Sequence, residues 1–222
     1  MFIAANLLPA WAIWLSAFGA FGVLAVATYY ADWQALLAAP ERVNSCGAAL
    51  VLLLFLHLLS FDADDDLALH LLGATTATLL LGLRFALLIG ALVVLVVSLF
   101  QGESLLAVPL AWVLSIAIPA TVSRAMVWWL RGRSSRQPFI YIMGAGFGGG
   151  IASALATAAA GMLALSAIGQ WHWVSAALGS WPVIVLIAFP EGFINGTLVT
   201  AFVVLAPDAM KLYDSADYSP DV

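Results

Sequence analysis

Long apolar segments separated by short polar ones run through the whole chain. The apolar segments are rich in Leu, Ala and Val and lack alternation of period two, so they are typical of helices rather than of strands. An α-helix needs about 20 apolar residues to cross the roughly 30 Å hydrocarbon layer of a bilayer. The pattern predicts seven transmembrane helices, over residues 7–29, 44–61, 67–83, 85–100, 105–130, 139–165 and 182–205. Only Gly82, Leu83 and Arg84 separate the third from the fourth, so one long kinked helix is the alternative there.

Composition agrees with a membrane protein. Of the 222 residues, 64% are hydrophobic and 9% are charged, and the mean hydropathy is +1.08. The core of one soluble domain could not bury that much apolar surface. We therefore expect an all-α polytopic membrane protein, and not a barrel. Residues 1–206 are expected to form one membrane domain, and residues 207–222 a short acidic cytoplasmic tail that is too short to fold alone.

The basic residues predict the orientation of the chain. With seven spans, every loop that carries Arg or Lys lies on the same side of the membrane, which the positive-inside rule assigns to the cytoplasm. The N-terminus is then outside and the C-terminus inside. If the third and fourth helices were one, Arg131 would lie on the side opposite Arg42. The basic residues are Arg42, Arg84, Arg124, Arg131, Arg133, Arg136 and Lys211.

The glycine-rich sequence GAGFGG at residues 144–149 has the spacing of a dinucleotide-binding loop. It lies inside a predicted spanning helix and follows no strand, so we reject that interpretation. The chain has no G-x-x-x-x-G-K-[ST], H-E-x-x-H or G-x-S-x-G motif. We expect neither an enzyme nor a permanently bound cofactor, and no nucleic-acid partner. The small residues that recur every four positions from Gly146 to Ala158 favour helix packing within the chain over a partner subunit.

Histidines and aspartates cluster at the predicted outer face. The topology places His57 at the outer end of the second helix and His70 at the outer start of the third, and Asp64 and Asp66 lie in the acidic run between them. Imidazole nitrogens and carboxylate oxygens together suit a divalent cation. In the alternative interpretation, an aspartate caps the third helix, the other acids are solvated, and the histidines hydrogen-bond to neighbouring helices.

Glu191 is predicted to lie near the middle of the membrane. It follows Pro182 by nine residues, and an ionisable group at that depth costs a few kcal/mol unless it has a partner. Asn195 is one turn further along the same face, so the two side chains are candidates for a polar transport pathway. The alternative is a protonated glutamate that hydrogen-bonds across the bundle and fixes the register of the last helix.

Two segments resemble the cobalt and nickel permeases of energy-coupling-factor transporters, the CbiM/NikM type. The sequence LHLLGA at residues 69–74 resembles the family's histidine-containing helix start, and PEGFING at residues 190–196 resembles its last helix. The order, the spacing and the seven-helix topology also fit, and the closest likeness is to a less-studied proteobacterial branch. The resemblance implies a substrate-capturing subunit of the bacterial inner membrane that works with a separate coupling transmembrane protein and ATPase subunits.

The resemblance also implies how metal is bound. Characterised members chelate a divalent metal through the free N-terminal amine, a histidine at position 2 and the histidine that His70 resembles. Here position 2 is Phe2, so that square-planar site cannot be copied intact. His57, Asp64 or Asp66 are then the expected co-ligands of His70, with cobalt or nickel as the implied substrate.

Two alternatives from other classes remain open. A membrane interaction subunit could keep the fold while having lost the metal site, for which Phe2 is the main argument. A haem protein with His57 and His70 as axial ligands is the other, since imidazole pairs suit iron.

Overall fold

The computed structural model describes residues 2–64, 67–131, 137–179 and 181–213. For Phe2, residues 60–64 and 67–70, and Val183 it describes the backbone alone. The described residues are mainly helical. The helices are α1 Ala10–Tyr30, α2 Trp33–Leu37, α3 Pro40–Leu58, α4 Ala74–Leu81, α5 Leu83–Gln101, α6 Val108–Arg131, α7 Pro138–Ala167, α8 Trp171–Gly179 and α9 Trp181–Leu205. Single 3₁₀ turns cover Ala5–Leu7 and Pro207–Ala209.

Six of the described helices are long and apolar enough to cross a membrane: α1, α3, α5, α6, α7 and α9. Their bounds lie within a few residues of six of the seven predicted helices, which confirms the helical membrane class. Their large apolar side chains point outward, as in α1, where Phe18 and Phe21 are 69% and 74% exposed. Outward apolar side chains are the arrangement that a hydrocarbon solvent stabilises.

The predicted third helix, residues 67–83, is wrong in its first half. Residues Leu67–His70 form a strand, and the helix that follows, α4, has eight residues, all of them buried. Eight residues rise about 12 Å, which is less than half of a bilayer core. The break comes at Gly73, whose φ of 60° lies in the left-handed region that glycine adopts without strain. A second glycine, Gly82 at φ 80°, ends α4 and separates it from α5.

A small antiparallel sheet, which the pattern of apolar segments did not predict, precedes α4. It consists of β1 Phe2–Ile3, β2 Ser60–Asp64 and β3 Leu67–His70, in the order β1-β3-β2. The central strand β3 pairs with the N-terminal strand on one side and with the strand after α3 on the other. The pairing of β1 with β3 therefore brings the N-terminal strand beside the strand that carries His70.

Four of the described basic residues, Arg42, Arg84, Arg131 and Lys211, lie at the end of the bundle opposite the sheet. Arg84 Nη1 donates to Tyr30 O at 2.6 Å, and Arg131 Nη2 donates to Leu212 O at 3.2 Å. Arg42 and Lys211 line one cavity at this end. The chain therefore passes from one end of the bundle to the other between residues 67 and 84, partly as strand and partly as α4. Which end faces the cytoplasm stays a prediction, and Arg133 and Arg136 lie outside the described residues.

Two segments are wound as π-helix, one within α6 at Val113–Ala117 and one within α7 at Ile142–Gly148. In α6 the cause is Pro119, which has no N–H to offer the preceding turn. Leu114 O accepts instead from Thr157 Oγ1 of α7, at 3.0 Å. The irregular backbone of α6 is thus stabilised by a hydroxyl group of its neighbour.

Glycines allow α7 and α9 to touch backbone to backbone. A Cβ added at Gly150 would lie 2.9 Å from Gly192 Cα and 3.0 Å from Glu191 O. One added at Gly146 would lie 3.3 Å from Gly196 Cα. The small residues at positions 146 and 150 therefore serve packing within the chain, as predicted.

We predict that Gly150→Ala destabilises the protein, because the added methyl group has to push α7 away from Glu191 O. Overpacking of this kind costs about 1–3 kcal/mol, which exceeds the gain of up to about 1 kcal/mol from helix propensity. Thermal unfolding of the purified protein in detergent measures the change. Gly22→Ala is the matched control, since nothing lies within 4 Å of a Cβ at Gly22 in α1. Equal melting temperatures for the two variants would contradict the close contact.

Candidate functional site

The first turn of α4 is capped by a carboxylate from α9. Glu191 Oε2 accepts from Leu72 N at 2.8 Å, and Glu191 Oε1 accepts from Gly73 N at 2.8 Å. The start of a helix exposes N–H groups that have no partner within the helix, and it carries a partial positive charge. Glu191, which is 3% exposed, places its carboxyl group at this end of α4 and accepts from the two N–H groups immediately before the first turn.

Asn195 extends the cap by one turn. Its Oδ1 accepts from Thr76 N at 2.9 Å and from Thr76 Oγ1 at 2.7 Å, while its Nδ2 donates to Glu191 Oε1 at 2.7 Å. Both the oxygen and the nitrogen of this fully buried side-chain amide therefore make hydrogen bonds. Glu191 and Asn195 lie on the same face of α9, as predicted, and we call the pair with its partners on residues 72–76 the helix-cap cluster.

The partners of Glu191 indicate which form of the carboxyl group the cluster accommodates. Among the described residues, every atom at hydrogen-bond distance from its two oxygens is an N–H donor: Leu72 N, Gly73 N and Asn195 Nδ2. An ionised carboxylate accepts at both oxygens, whereas a protonated one has a hydrogen that needs an acceptor. The contact across the bundle exists, but its geometry is that of an acceptor rather than that of the protonated donor considered above.

A second buried polar group, the hydroxyl cluster, joins α4 to α6 and α7 and includes Thr75, the neighbour of Thr76 in the chain. Ser123 Oγ lies 2.8 Å from Thr75 Oγ1 and 3.0 Å from Ser153 Oγ, and Ser123 Oγ donates to Pro119 O at 2.7 Å. Sequence reasoning missed this cluster. The available signal was the presence of Ser and Thr inside spanning helices, where their hydroxyls commonly bond to neighbouring helices.

The backbone of His70 lies at the end of β3, two residues before Leu72, whose N–H donates a hydrogen bond to Glu191. In the sheet His70 is paired with Ser60, and Phe2 is paired with Ala68 of the same strand. The strand that carries His70 thus lies beside the N-terminal strand. It leads directly into the helix-cap cluster. Asp64 ends β2 and is paired with Leu67, and Asp66 lies outside the described residues.

The other two histidines have different environments. His57 is buried in the last turn of α3, where Nδ1 lies 3.1 Å from Leu53 O. With the proton on Nδ1, a neutral ring carries its lone pair on Nε2. His172 is exposed on α8. Among the described residues, no three His, Cys, Asp or Glu side chains come close enough together to hold a metal ion.

The fold and its buried polar clusters define a polytopic α-helical membrane protein in which a short inner helix is held by the last spanning helix. The family model of the cobalt uptake substrate-specific transmembrane region, CbiM, matches residues 2–209. The chain belongs to this family, which is one of transporter components rather than of enzymes. No curated protein matches the chain.

Two solved structures share the fold. One, described as a truncated transition metal transporter, is 18% identical with a TM-score of 0.65, and the match covers 92% of this chain and 99% of that one. The other, described as a transition metal transporter, is 16% identical with a TM-score of 0.69, and the match covers 92% and 93% of the two chains.

We predict that Glu191→Gln destabilises the protein although glutamine has almost the same shape. A glutamine amide accepts at only one of its two terminal atoms, so its NH₂ group would face one of the N–H donors. One unsatisfied buried donor costs about 1–3 kcal/mol. Glu191→Leu removes both acceptors and is expected to lower the abundance of the protein further.

Thermal unfolding in detergent compares these variants with Glu41→Gln, which removes an exposed charge from the first turn of α3. Wild-type stability of Glu191→Gln would show that the carboxyl group is protonated and donates a hydrogen bond, contrary to this interpretation.

Proposed function

We propose that this chain is the substrate-capturing permease subunit of an energy-coupling-factor transporter that imports a divalent transition metal ion, cobalt or nickel. Its family supports metal uptake, and the fold it shares with two transition metal transporters is in keeping with that role. The subunit lies in the cytoplasmic membrane of a bacterium. A separate ATPase and a coupling transmembrane protein supply the energy, since the chain has no nucleotide-binding motif of its own.

The observation that carries the proposal is the position of the His70 strand between the N-terminal strand and the helix-cap cluster. Pairing of Phe2 with Ala68 brings the chain's first residues beside β3. The segment that follows His70 is held by the hydrogen bonds from Leu72 N and Gly73 N to Glu191. Metal ligands have to be kept in place by a supporting shell, and this arrangement would supply one.

His70 is the ligand that we assign first. Phe2 has no imidazole, so the remaining ligands have to come from other groups, and His57, Asp64 and Asp66 are the proposed co-ligands. Imidazole suits cobalt and nickel, and carboxylates add charge. Glu191 and Asn195 act here by positioning the loop after His70, and they also form the polar part of the transport path.

In the proposed topology the sheet end of the bundle faces outward and the basic end faces the cytoplasm. Residues 1–206 form the membrane domain, and residues 207–222 follow it on the cytoplasmic side. The first part of that segment packs on the bundle, where Lys211 N donates to Leu80 O at 3.0 Å and Leu212 N donates to Leu79 O at 3.1 Å. Contact with partner subunits would occur at this end.

A membrane interaction subunit that has lost metal binding is the second candidate. Phe2 favours it, because the family's chelate needs an imidazole at that position. Metal binding by the purified protein separates the two candidates.

We predict that purified protein without a histidine tag binds cobalt or nickel stoichiometrically and that His70→Ala abolishes the binding. The loss of one nitrogen from a small site removes a large share of its affinity. Isothermal titration at neutral pH measures the binding, and affinity should fall as the pH drops below about 6.5, because a protonated imidazole cannot coordinate.

His172→Ala is the matched control, since His172 is exposed on α8, and it should bind like the wild type. His57→Ala tests the first co-ligand and is expected to weaken binding. Undiminished binding by His70→Ala would rule out this site, and absence of saturable binding by the wild type would favour the interaction subunit.

A separate prediction concerns the orientation. A reporter enzyme fused after Val222 should be active in the cytoplasm, and a cysteine at Gln170, in a background with Cys46→Ser, should react with an impermeant thiol reagent from outside. The reason is that Arg42, Arg84, Arg131 and Lys211 lie at one end of the bundle, whereas Gln170 follows α7 at the opposite end. If the reporter and the cysteine at position 170 proved to lie on the same side of the membrane, the proposed number of crossings would be wrong.

A further inference from the structure

The basic end of the bundle contains a cavity of about 90 Å³ that the metal-capture proposal does not use. It lies where α1 has just ended, where α3 and α5 begin, and where the chain leaves α9. Four charged side chains line it: Asp32, Arg42, Asp208 and Lys211. Its other walls are mainly apolar and include Leu80, Leu81 and Phe85.

The charges of this cavity are balanced but are not paired with one another. Within the described residues, none of the four side chains takes part in an ion pair. Asp32 Oδ1 accepts from Ala35 N at 2.9 Å and Arg42 Nη1 reaches Ala35 O at 3.4 Å, so each of these two groups keeps most of its hydrogen-bonding capacity. Two carboxylates and two cations around one space complement a ligand that carries both signs of charge.

The size of the cavity restricts the ligand further. At 10–15 Å³ for each water, the volume of 90 Å³ corresponds to about six to nine waters, and a phosphoethanolamine group has about eight non-hydrogen atoms. An α-helix of a partner protein, about 10 Å across, does not fit into this space.

The surroundings of the cavity are those of a membrane interface. Trp33 is 44% exposed, and its ring lies edge-on to that of Phe85 in the cavity wall, with centroids 5.4 Å apart. Tyr30, at the end of α1, is 58% exposed. Such aromatic side chains lie at the depth of lipid headgroups. A headgroup in the cavity would therefore have its acyl chains beside the exposed apolar surface of α1 and α3.

From these observations we propose that the cavity binds the headgroup of a zwitterionic phospholipid with a primary ammonium, as in phosphatidylethanolamine. Arg42 and Lys211 bind the phosphate, and Asp32 and Asp208 accept hydrogen bonds from the ammonium group. The trimethylammonium of phosphatidylcholine has no N–H to donate and is bulkier, so it fits poorly. Phosphatidylglycerol has no cation for the two carboxylates.

Cys46 provides a direct reporter, because it lines the same cavity and is the single cysteine of the chain. The full-length protein is reconstituted in nanodiscs of phosphatidylcholine, with or without phosphatidylethanolamine, and the rate of maleimide labelling is measured. The expected result is labelling about tenfold slower with phosphatidylethanolamine, as for a site that is nine-tenths occupied. Phosphatidylglycerol should protect far less.

Asp208→Asn and Lys211→Gln should each remove the protection, whereas Glu41→Gln, one residue from Arg42 but outside the cavity, should keep it. A labelling control is Asn44→Cys with Cys46→Ser, which places the thiol on the same helix but outside the cavity and should give equal rates in all discs. Size-exclusion profiles and tryptophan fluorescence show whether each variant is folded.

Equal labelling of Cys46 in the discs with and without phosphatidylethanolamine would overturn the proposal, as would protection that survives in both Asp208→Asn and Lys211→Gln. Protection of the wild type in phosphatidylcholine discs by soluble glycerophosphoethanolamine, to the same extent as by the lipid, would also overturn it in favour of a soluble zwitterion.

Discussion

The hydrogen bonds from Leu72 N and Gly73 N to the carboxylate of Glu191 hold the start of α4 inside the bundle. In a bilayer, a backbone N–H without a partner costs several kcal/mol, so a chain can interrupt a helix there only where the protein supplies acceptors. Between His70 and α4 the chain does interrupt its regular structure. Glu191 and Asn195 supply the acceptors, and α4 can therefore begin deep inside the bundle rather than at its surface.

This constraint requires α9 to be close to its neighbours, and the glycines of α7 and α9 meet that requirement. Contact between Gly150 and Gly192 brings the backbone of α7 directly against the turn that carries Glu191. The hydroxyl cluster binds Thr75 of α4 to α6 and α7. The inner helix is thus held by polar contacts from three neighbouring helices, and in an apolar solvent such contacts add to side-chain packing in determining its position.

The sequence was sufficient for those parts of the fold in which one physical signal dominates. Six long apolar segments can only be spanning helices, and a glutamate in the last of them needs a partner, so both were predictable. The segment from Leu67 to Gly73 was not, because its alternation of Leu with Ala and His fits a short strand as well as a helix. What decides between the two is tertiary: strand partners at residues 2–3 and 60–64, and acceptors on α9, none of which a local pattern reveals.

Some features of the candidate site were likewise predictable from the sequence, and others were not. That Glu191 and Asn195 share a face follows from their spacing of four residues, whereas their partners lie 119 residues away in the chain and could not be deduced. Thr75, Ser123 and Ser153 each look unremarkable within their own helix. Only the arrangement of three helices brings their hydroxyls together. That His57 and His70 lie near the same end of the bundle was deducible, because they flank the short connection after the second predicted helix.

The long separation between α4 and its cap has a consequence for biosynthesis. Leu72 leaves the ribosome 119 residues ahead of Glu191, which corresponds to roughly 6–24 s at 5–20 residues per second. During this interval the N–H groups at the start of α4 have no carboxylate, and an uncapped eight-residue helix is too short to remain in hydrocarbon by itself. The hydrogen bonds that hold the start of α4 can therefore form only after α9 has been synthesised.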